Sequence, residues 1–321
     1  MKIAYLVRAR PDLDNLEADG IEGVQLQVGE DGLYSDADLV KVRDADAFII
    51  GMEPVNEQIL AAAPRLKIVQ RLGVGYETLD LEACARRNIP ACNVEGVNKV
   101  AVAEHNMMFI LALAKHMVEA NQLTQTAAWA DARRLTNGSF ELLGKTLGII
   151  GFGNTGSELG KRAHAFGMKL LVNDPLDTHR TLVGELGAQW TDKDRIYAES
   201  DIICICTDLN ERTRHMINAE AFAKMQPHTL FICCARGGIV DENALADAIR
   251  SGSIAGAAID VFEKEPIRPD NVLIGLPNVL LTSHVAGVAR DTMARCWEWA
   301  HNNVRAVVER GERAQWIRNG L

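Results

Sequence analysis

Residues 146–156 read TLGIIGFGNTG, and the reading of this stretch sets the reading of the chain. Three glycines, Gly151, Gly153 and Gly156, are spaced G-x-G-x-x-G, with Phe152, Asn154 and Thr155 between them. A leucine-rich, β-branched run precedes them, and a helical pattern follows. A second strand-like run, KLLVN, then ends on Asp174, 18 residues after Gly156. In this context each glycine has a separate task. Gly151 permits a tight turn, Gly153 removes the side chain where a pyrophosphate must meet the backbone, and Gly156 lets helix and strand pack closely. The helix N-terminus adds unpaired N–H groups and positive dipole character. Asp174 can accept hydrogen bonds from both ribose hydroxyls, and it would repel a 2′-phosphate. The stretch therefore predicts a dinucleotide-binding βαβ unit that takes NAD rather than NADP. His179 and Arg180, a few residues on, read as solvated loop residues.

Outward from this loop the chain alternates short apolar runs with helical patterns. Strands are expected at 2–7, 24–28, 47–50, 67–70 and 91–93, and again at 146–151, 169–173, 202–206, 229–234, 257–261 and 279–282. Alternating β and α predicts parallel sheets covered by helices on both faces. A helical pattern spans 100–125 and another spans 291–310. The residues around Asn137-Gly138-Ser139 read as a loop, so from pattern alone the chain divides near residue 145.

The bulk properties exclude several classes. The chain has 321 residues, 48% hydrophobic and 24% charged, which is ordinary globular composition with room for two domains. A net charge of -9 argues against nucleic acid as a partner, because phosphate binding needs a basic face. The apolar runs fall short of the ~18–20 residues of a membrane span. The start, MKIAYLVRARPDLDN, lacks a signal-peptide core, so a cytoplasmic protein is expected. Seven cysteines, an odd number in apolar runs, read as free thiols; Cys204-Ile-Cys206 lacks zinc spacing, and no metal site is expected.

A further stretch, TLFICCARGGIVDE (229–242), places Arg236 at the end of a buried strand, followed by Gly237 and Gly238. An arginine so placed needs a partner. Together with the glycine loop, the stretches CCARGGIVDENAL, GAAIDVFEKEP, NVLLTSHVAG, RLGVGYETLD and VAEHNMMFILAL resemble the D-isomer-specific 2-hydroxyacid dehydrogenases over nearly the whole chain. The resemblance implies two doubly wound α/β domains with the active site in the cleft between them. A Rossmann domain at 99–287 would be inserted in a flavodoxin-like substrate domain at 1–98 plus 288–321. It also implies a homodimer, with the helix at 100–118 at its interface, and NAD as cofactor.

The resemblance assigns residues as well. His284 matches the acid/base, Glu265 the carboxylate that fixes its tautomer and favours its protonated form, and Arg236 the residue that holds the substrate carboxylate. Asp260 matches the acceptor for the nicotinamide amide. Gly151 to Gly156, Asp174, Cys206, Thr207, Cys234, Ala235, Arg236, His284 and Gly287 would line the cofactor. Met52, Leu72, Gly73, Val74 and Gly75 would meet the substrate, the glycine backbone offering its N–H groups to an anion.

Two departures stand out. Cys206-Thr207-Asp208-Leu209-Asn210 replaces the family's His-x-Pro-Leu-Thr, and Ser283 replaces a proline. The activity implied is reduction of a small 2-oxo acid such as glyoxylate or hydroxypyruvate. Residues 49–60 carry no Lys or Arg, and Glu53 would repel a phosphate, which disfavours 3-phosphohydroxypyruvate although Arg71 is near in sequence. Two alternatives are an NAD-responsive scaffold or corepressor, which the absence of a long recruiting tail disfavours, and a formate oxidoreductase, which pairs its histidine with glutamine.

Overall fold

The computed structural model describes residues 1–6, 22–26, 28–29 and 32–321. Val7 and Gln27, both counted in strands read from the sequence, lie outside the described residues. The chain forms two compact units, Met1–Asn98 with Arg290–Leu321, and Lys99–Ala289.

The first part runs β1 (Lys2–Leu6), β2 (Glu22–Gln25), α1 (Asp36–Lys41), β3 (Ala47–Ile50), α2 (Glu57–Ala62), β4 (Ile68–Arg71), α3 (Leu81–Arg86) and β5 (Ala91–Cys92). Its helices start where a side chain accepts a backbone N–H. Ser35 takes that of Asp38, Asn56 that of Ile59, and Asp80 that of Ala83. The second unit opens with α4 (Lys99–Ala114), α5 (Met117–Gln125) and α6 (Trp129–Arg134), then β6 (Thr146–Ile150), α7 (Asn154–Ala165), β7 (Lys169–Asn173) and α8 (Arg180–Glu185). It continues through β8 (Gln189–Trp190), α9 (Lys193–Glu199), β9 (Ile202–Ile205), α10 (Ala219–Ala223), β10 (Leu230–Cys233), α11 (Glu242–Arg250), β11 (Gly256–Ile259) and β12 (Val279–Leu281). The last helix, α12 (Arg290–Val308), belongs to the first unit.

Both sheets are wholly parallel. The first unit has the order β2-β1-β3-β4-β5, the flavodoxin-like arrangement, and the second has β12-β11-β10-β9-β6-β7-β8, the Rossmann arrangement with one further strand. Because strand side chains alternate, each strand feeds two cores. In the second unit Leu147, Ile149, Ile202, Cys204 and Ile232 face one core with α4 and α7. Ile150, Ile203, Ile205, Phe231 and Cys233 face the other with α10 and α11. In the first unit Ala4, Leu6, Phe48 and Ile50 pack with α2 and α3. Ile3, Tyr5, Ala47, Ile49 and Ile68 pack with Ala300 and Val304 of α12, so the returning helix covers one face of this sheet.

The helical pattern read over 100–125 is not one helix. It breaks at His116, whose backbone is left-handed at φ 48. The returning chain takes over the helix end there: Phe140 N–H donates to the Ala114 carbonyl, and Lys115 Nζ donates to the Phe140 carbonyl. The apolar periodicity on either side of the break carries no sign of it.

In each order the strand sequence reverses direction once, between β1 and β3 in the first unit and between β6 and β9 in the second. Ligands in such sheets bind beyond the carboxyl ends near that reversal. Gly151 follows β6, and Cys206 follows β9.

Candidate active site

The glycine loop has the geometry that its spacing requires. Gly151 has φ 96, and a Cβ there would lie 2.5 Å from the backbone of Cys206 and Thr207, so only glycine allows β6 and β9 to end side by side. A Cβ on Gly156 would lie 2.0 Å from the Gly151 carbonyl oxygen. A Cβ on Gly153 would meet nothing within 4 Å; the space above it is open, and a phosphate can approach the backbone. Gly153 caps α7 without a side-chain hydrogen bond, which leaves the first-turn N–H groups for an anion. The Phe152 side chain is buried and its N–H donates to Asp174 Oδ2 at 2.6 Å. Leu176 N–H donates to Asp174 Oδ1 at 2.8 Å. A carboxylate has about four lone-pair directions, so Asp174 is aimed by these two bonds and keeps capacity for a ribose diol. The residues present therefore fit a dinucleotide.

The loops at the ends of β10, β11 and β12 hold the titratable groups. His284 Nδ1 lies 2.6 Å from Glu265 Oε2. Glu265 Oε1 accepts from Phe262 N–H at 3.0 Å. Burial alone would push the Glu265 carboxyl up. The hydrogen bonds from His284 and Phe262, and the charges of His284 and Arg236, outweigh it and hold the group below the usual carboxylate range. An ionised carboxylate accepts only, so Nδ1 carries the proton in this pair, and Nε2 is the ring atom left to exchange one. Arg236 lies in extended backbone and donates from Nη1 to the Ala235 carbonyl at 2.8 Å. Of the acids that follow it, Asp241 caps α11 through the N–H groups of Asn243 and Ala244, and Glu242 accepts from Glu263 N–H and Asn271 Nδ2.

Gly237 explains how these loops come together. A Cβ on it would lie 1.9 Å from the Phe262 carbonyl carbon and 2.5 Å from Glu263 N. The backbone after Arg236 therefore presses directly on the backbone leading to Glu265.

Asp260 is fully buried, and its carboxylate organises the turn carrying His284. Oδ1 accepts from Thr282 Oγ1 and Val285 N–H, and Oδ2 accepts from Ala286 N–H at 2.9 Å. His284 N–H donates to the Asp260 carbonyl at 2.7 Å, and His284 has a left-handed backbone at φ 55. A non-glycine residue held there carries strain that its surroundings must fix. Thr282 also contacts His105 Nε2 of α4 at 3.1 Å. Neither Thr282 nor His105 was singled out from sequence; the only trace was their place in the TSHVAG and VAEH stretches.

All seven cysteines are free, and burial pushes the Cys206 thiol up to about 12. Asp208 is folded into its own turn, accepting from Asn210 Nδ2 at 3.3 Å. In the first unit, Met52 is exposed and the residues 72–75 are half-buried just beyond β4.

Comparison with known proteins identifies the family. Residues 107–286 match the family model described as D-isomer specific 2-hydroxyacid dehydrogenase, NAD binding domain. The chain is 34% identical over 274 residues to a glyoxylate reductase of Korarchaeum cryptofilum, covering 85% of this chain and 82% of that protein. It is 35% identical over 274 residues to a hydroxypyruvate reductase of Thermotoga maritima, covering 84% and 87%. Among solved structures, an NADPH-dependent glyoxylate/hydroxypyruvate reductase of Sinorhizobium meliloti with NADP and malonate superposes with a TM-score of 0.83 at 25% identity, over 99% of this chain and 96% of that one. The chain belongs to the D-isomer-specific 2-hydroxyacid dehydrogenases, NAD-dependent enzymes that move a hydride between the cofactor and a 2-oxo acid or 2-hydroxy acid.

Proposed function

We propose that this enzyme reduces a small 2-oxo acid with an uncharged side chain, glyoxylate or hydroxypyruvate, using NADH, with His284, Glu265 and Arg236 as its catalytic set. The observation that carries the reading is the 2.6 Å contact of His284 with an ionised Glu265 that also feels the Arg236 charge. A bound nicotinamide would supply the hydride to the carbonyl carbon. His284 Nε2 gives its proton to the carbonyl oxygen, and the imidazole is left neutral until it is reprotonated from solvent. Glu265 accepts the Nδ1 proton's hydrogen bond and keeps the ring oriented. Arg236 holds the substrate carboxylate with its planar fork. In the cofactor region, the N–H groups at the start of α7 take the pyrophosphate, and Asp174 takes the ribose. Cys206, Thr207, Cys234, Ala235 and Gly287 line the cofactor, and one remaining lone-pair direction on Asp260 Oδ2 serves the amide.

In the first unit, Met52 and the backbone of Leu72, Gly73, Val74 and Gly75 are assigned to the substrate. Arg71 gives little support to a phosphorylated substrate. Its Nε donates to the Gly75 carbonyl, its Nη1 to those of Ile50 and Leu72, and its Nη2 contacts Met52 Sδ. A homodimer in the cytoplasm completes the proposal. Helices α5 and α6 contain no buried residue, while Met117 is 57% and Trp129 64% exposed, a surface suited to a second copy. Turnover measured with a panel of 2-oxo acids, with NADH and NADPH in parallel, tests the reading. Activity on glyoxylate or hydroxypyruvate should lie well above that on 3-phosphohydroxypyruvate, and the reverse order rejects the proposal.

A further inference from the structure

The backbone of residues 72–75 has an ordered arrangement that its sequence does not announce. Every carbonyl in it is taken by a donor of the first unit. The Leu72 carbonyl accepts from Arg71 Nη1 at 3.1 Å, and the Gly75 carbonyl accepts from Arg71 Nε at 3.0 Å. The Gly73 carbonyl accepts from Val94 N–H at 2.9 Å, and the Val74 carbonyl accepts from Asn93 Nδ2 at 2.7 Å. In a trans peptide the C=O and the following N–H point in opposite directions. Locking the carbonyls of 72–75 therefore aims the N–H groups of Gly73, Val74, Gly75 and Tyr76 the other way. Among the described residues, none accepts from these four N–H groups.

Three of the four locks come from two side chains. Both are largely withdrawn from solvent: Arg71 is 7% and Asn93 1% exposed. Asn93 is itself held. Its Oδ1 accepts from Arg318 Nε at 2.9 Å, and its own carbonyl accepts from Gln70 Nε2 at 3.0 Å. The amide cannot turn over without losing the Arg318 bond, so Nδ2 stays pointed at Val74. The tail of the chain thus reaches the loop through one asparagine.

We propose that Arg71 and Asn93 are positioning residues for substrate: they hold the 72–75 carbonyls inward so that a cluster of N–H groups faces the 2-oxo acid carboxylate. The inference rests on the reading of this loop as a carboxylate site. Neither side chain touches the substrate. Their effect is on how well the anion is held, and the chemical step and the dinucleotide are left to other residues.

The test uses the full-length enzyme, with oxamate as an unreactive 2-oxo acid mimic and glyoxylate as substrate. Asn93→Asp replaces the donor to Val74 with an acceptor while keeping a partner for Arg318. Arg71→Lys keeps the charge but cannot reach three carbonyls at once. Each should weaken oxamate binding to the enzyme–NADH complex by at least tenfold and raise the glyoxylate KM to match, with kcat changed less than threefold and the NADH Kd less than twofold. Gly75→Asp, which adds a negative charge to the loop, serves as the separate check on the loop itself and should abolish oxamate binding. If Gly75→Asp binds oxamate normally, the loop is not the carboxylate site. If Gly75→Asp fails to bind but both folded positioning variants bind as wild type, the loop reading stands and the role of Arg71 and Asn93 is overturned. A lower Tm with an unchanged oxamate Kd in those two variants overturns that role equally, since it marks a purely structural one.

Discussion

His284 reaches Glu265 with its Nδ1 at 2.6 Å while its own backbone sits in the left-handed region at φ 55. The ring is thus fixed from two directions, by a carboxylate at its Nδ1 and by the Asp260 turn beneath it. Glu265 is held below the usual carboxylate range, so it stays an ionised acceptor for the Nδ1 proton at neutral pH. Reduction needs protonated His284. Glu265→Gln replaces the ionised acceptor of the Nδ1 proton with a neutral amide and loosens the orientation of the ring, so reductive kcat/KM should fall by at least about tenfold, about 1.4 kcal/mol, with the NADH Kd little changed. An unchanged kcat/KM would show that the proton comes from elsewhere.

The same lowered carboxyl has a stability consequence. A group whose folded pKa is depressed stabilises above its unfolded value of about 4.3, and the contribution fades as pH falls through the folded value. The Tm gap between wild type and Glu265→Gln should therefore be present at pH 6–7 and shrink below about pH 4. A gap that widens in acid contradicts the assignment.

Arg236→Lys keeps the charge but loses the planar fork. Loss of one charge-assisted hydrogen bond costs about 1.5–3 kcal/mol, so kcat/KM should fall roughly 10- to 150-fold, and further in Arg236→Ala. The NADH Kd should change little. A folded Arg236→Ala enzyme with near wild-type turnover rules out the carboxylate clamp.

Asp174 should make kcat/KM with NADH exceed that with NADPH by at least about tenfold, about 1.4 kcal/mol. Asp174→Ser should narrow the gap, although the loss of bonds from Phe152 and Leu176 will also loosen the loop. Equal efficiency with both cofactors in the wild type defeats this assignment; the NADPH-dependent Sinorhizobium relative makes the comparison worth measuring directly.

Gly237→Ala tests the packing of two loops. The added methyl would overlap the Phe262 carbonyl, so the Arg236 and Glu265 segments must separate. Misplacement by about 1 Å costs roughly 10²-fold in rate. Gly238→Ala meets only side-chain atoms, at 3.2 Å from Leu209 and 3.4 Å from Arg214, and should be far milder. Similar kcat/KM losses in the two variants would remove the special role given to Gly237.

Much of the fold and site was open to reading because it is local. The glycine spacing, the strand before it and the acidic residue after β7 fall within about 30 residues and obey the fixed periods of a βαβ unit. The family resemblance named His284, Glu265 and Arg236, and the fold brings His284 and Glu265 within 2.6 Å of each other. What escaped reading depends on distant partners. Asn93 is tied to Arg318, 225 residues away, and His105 to Thr282, 177 residues away. The break at His116 depends on Phe140 returning to Ala114. Strand β8 spans only Gln189–Trp190, too short for any period to register. Asp260 looked like a ligand by motif, and its three turn bonds became visible only with the fold.

The return of α12 to the first sheet has a consequence for how the protein is made. Ile3, Tyr5, Ala47, Ile49 and Ile68 leave the ribosome early, but Ala300 and Val304, which cover them, come last. At ~5–20 residues per second, the intervening segment 99–289 takes on the order of 10–40 s to synthesise. Throughout that interval the strand residues of the first unit lack the helix that packs on them, so the nascent chain offers Ile3, Tyr5, Ala47, Ile49 and Ile68 as a binding place for a holdase. Ribosome-bound chains stalled at residue 289 should bind a hydrophobic dye and yield to protease within 1–98, while the full 321-residue chain after release should resist both.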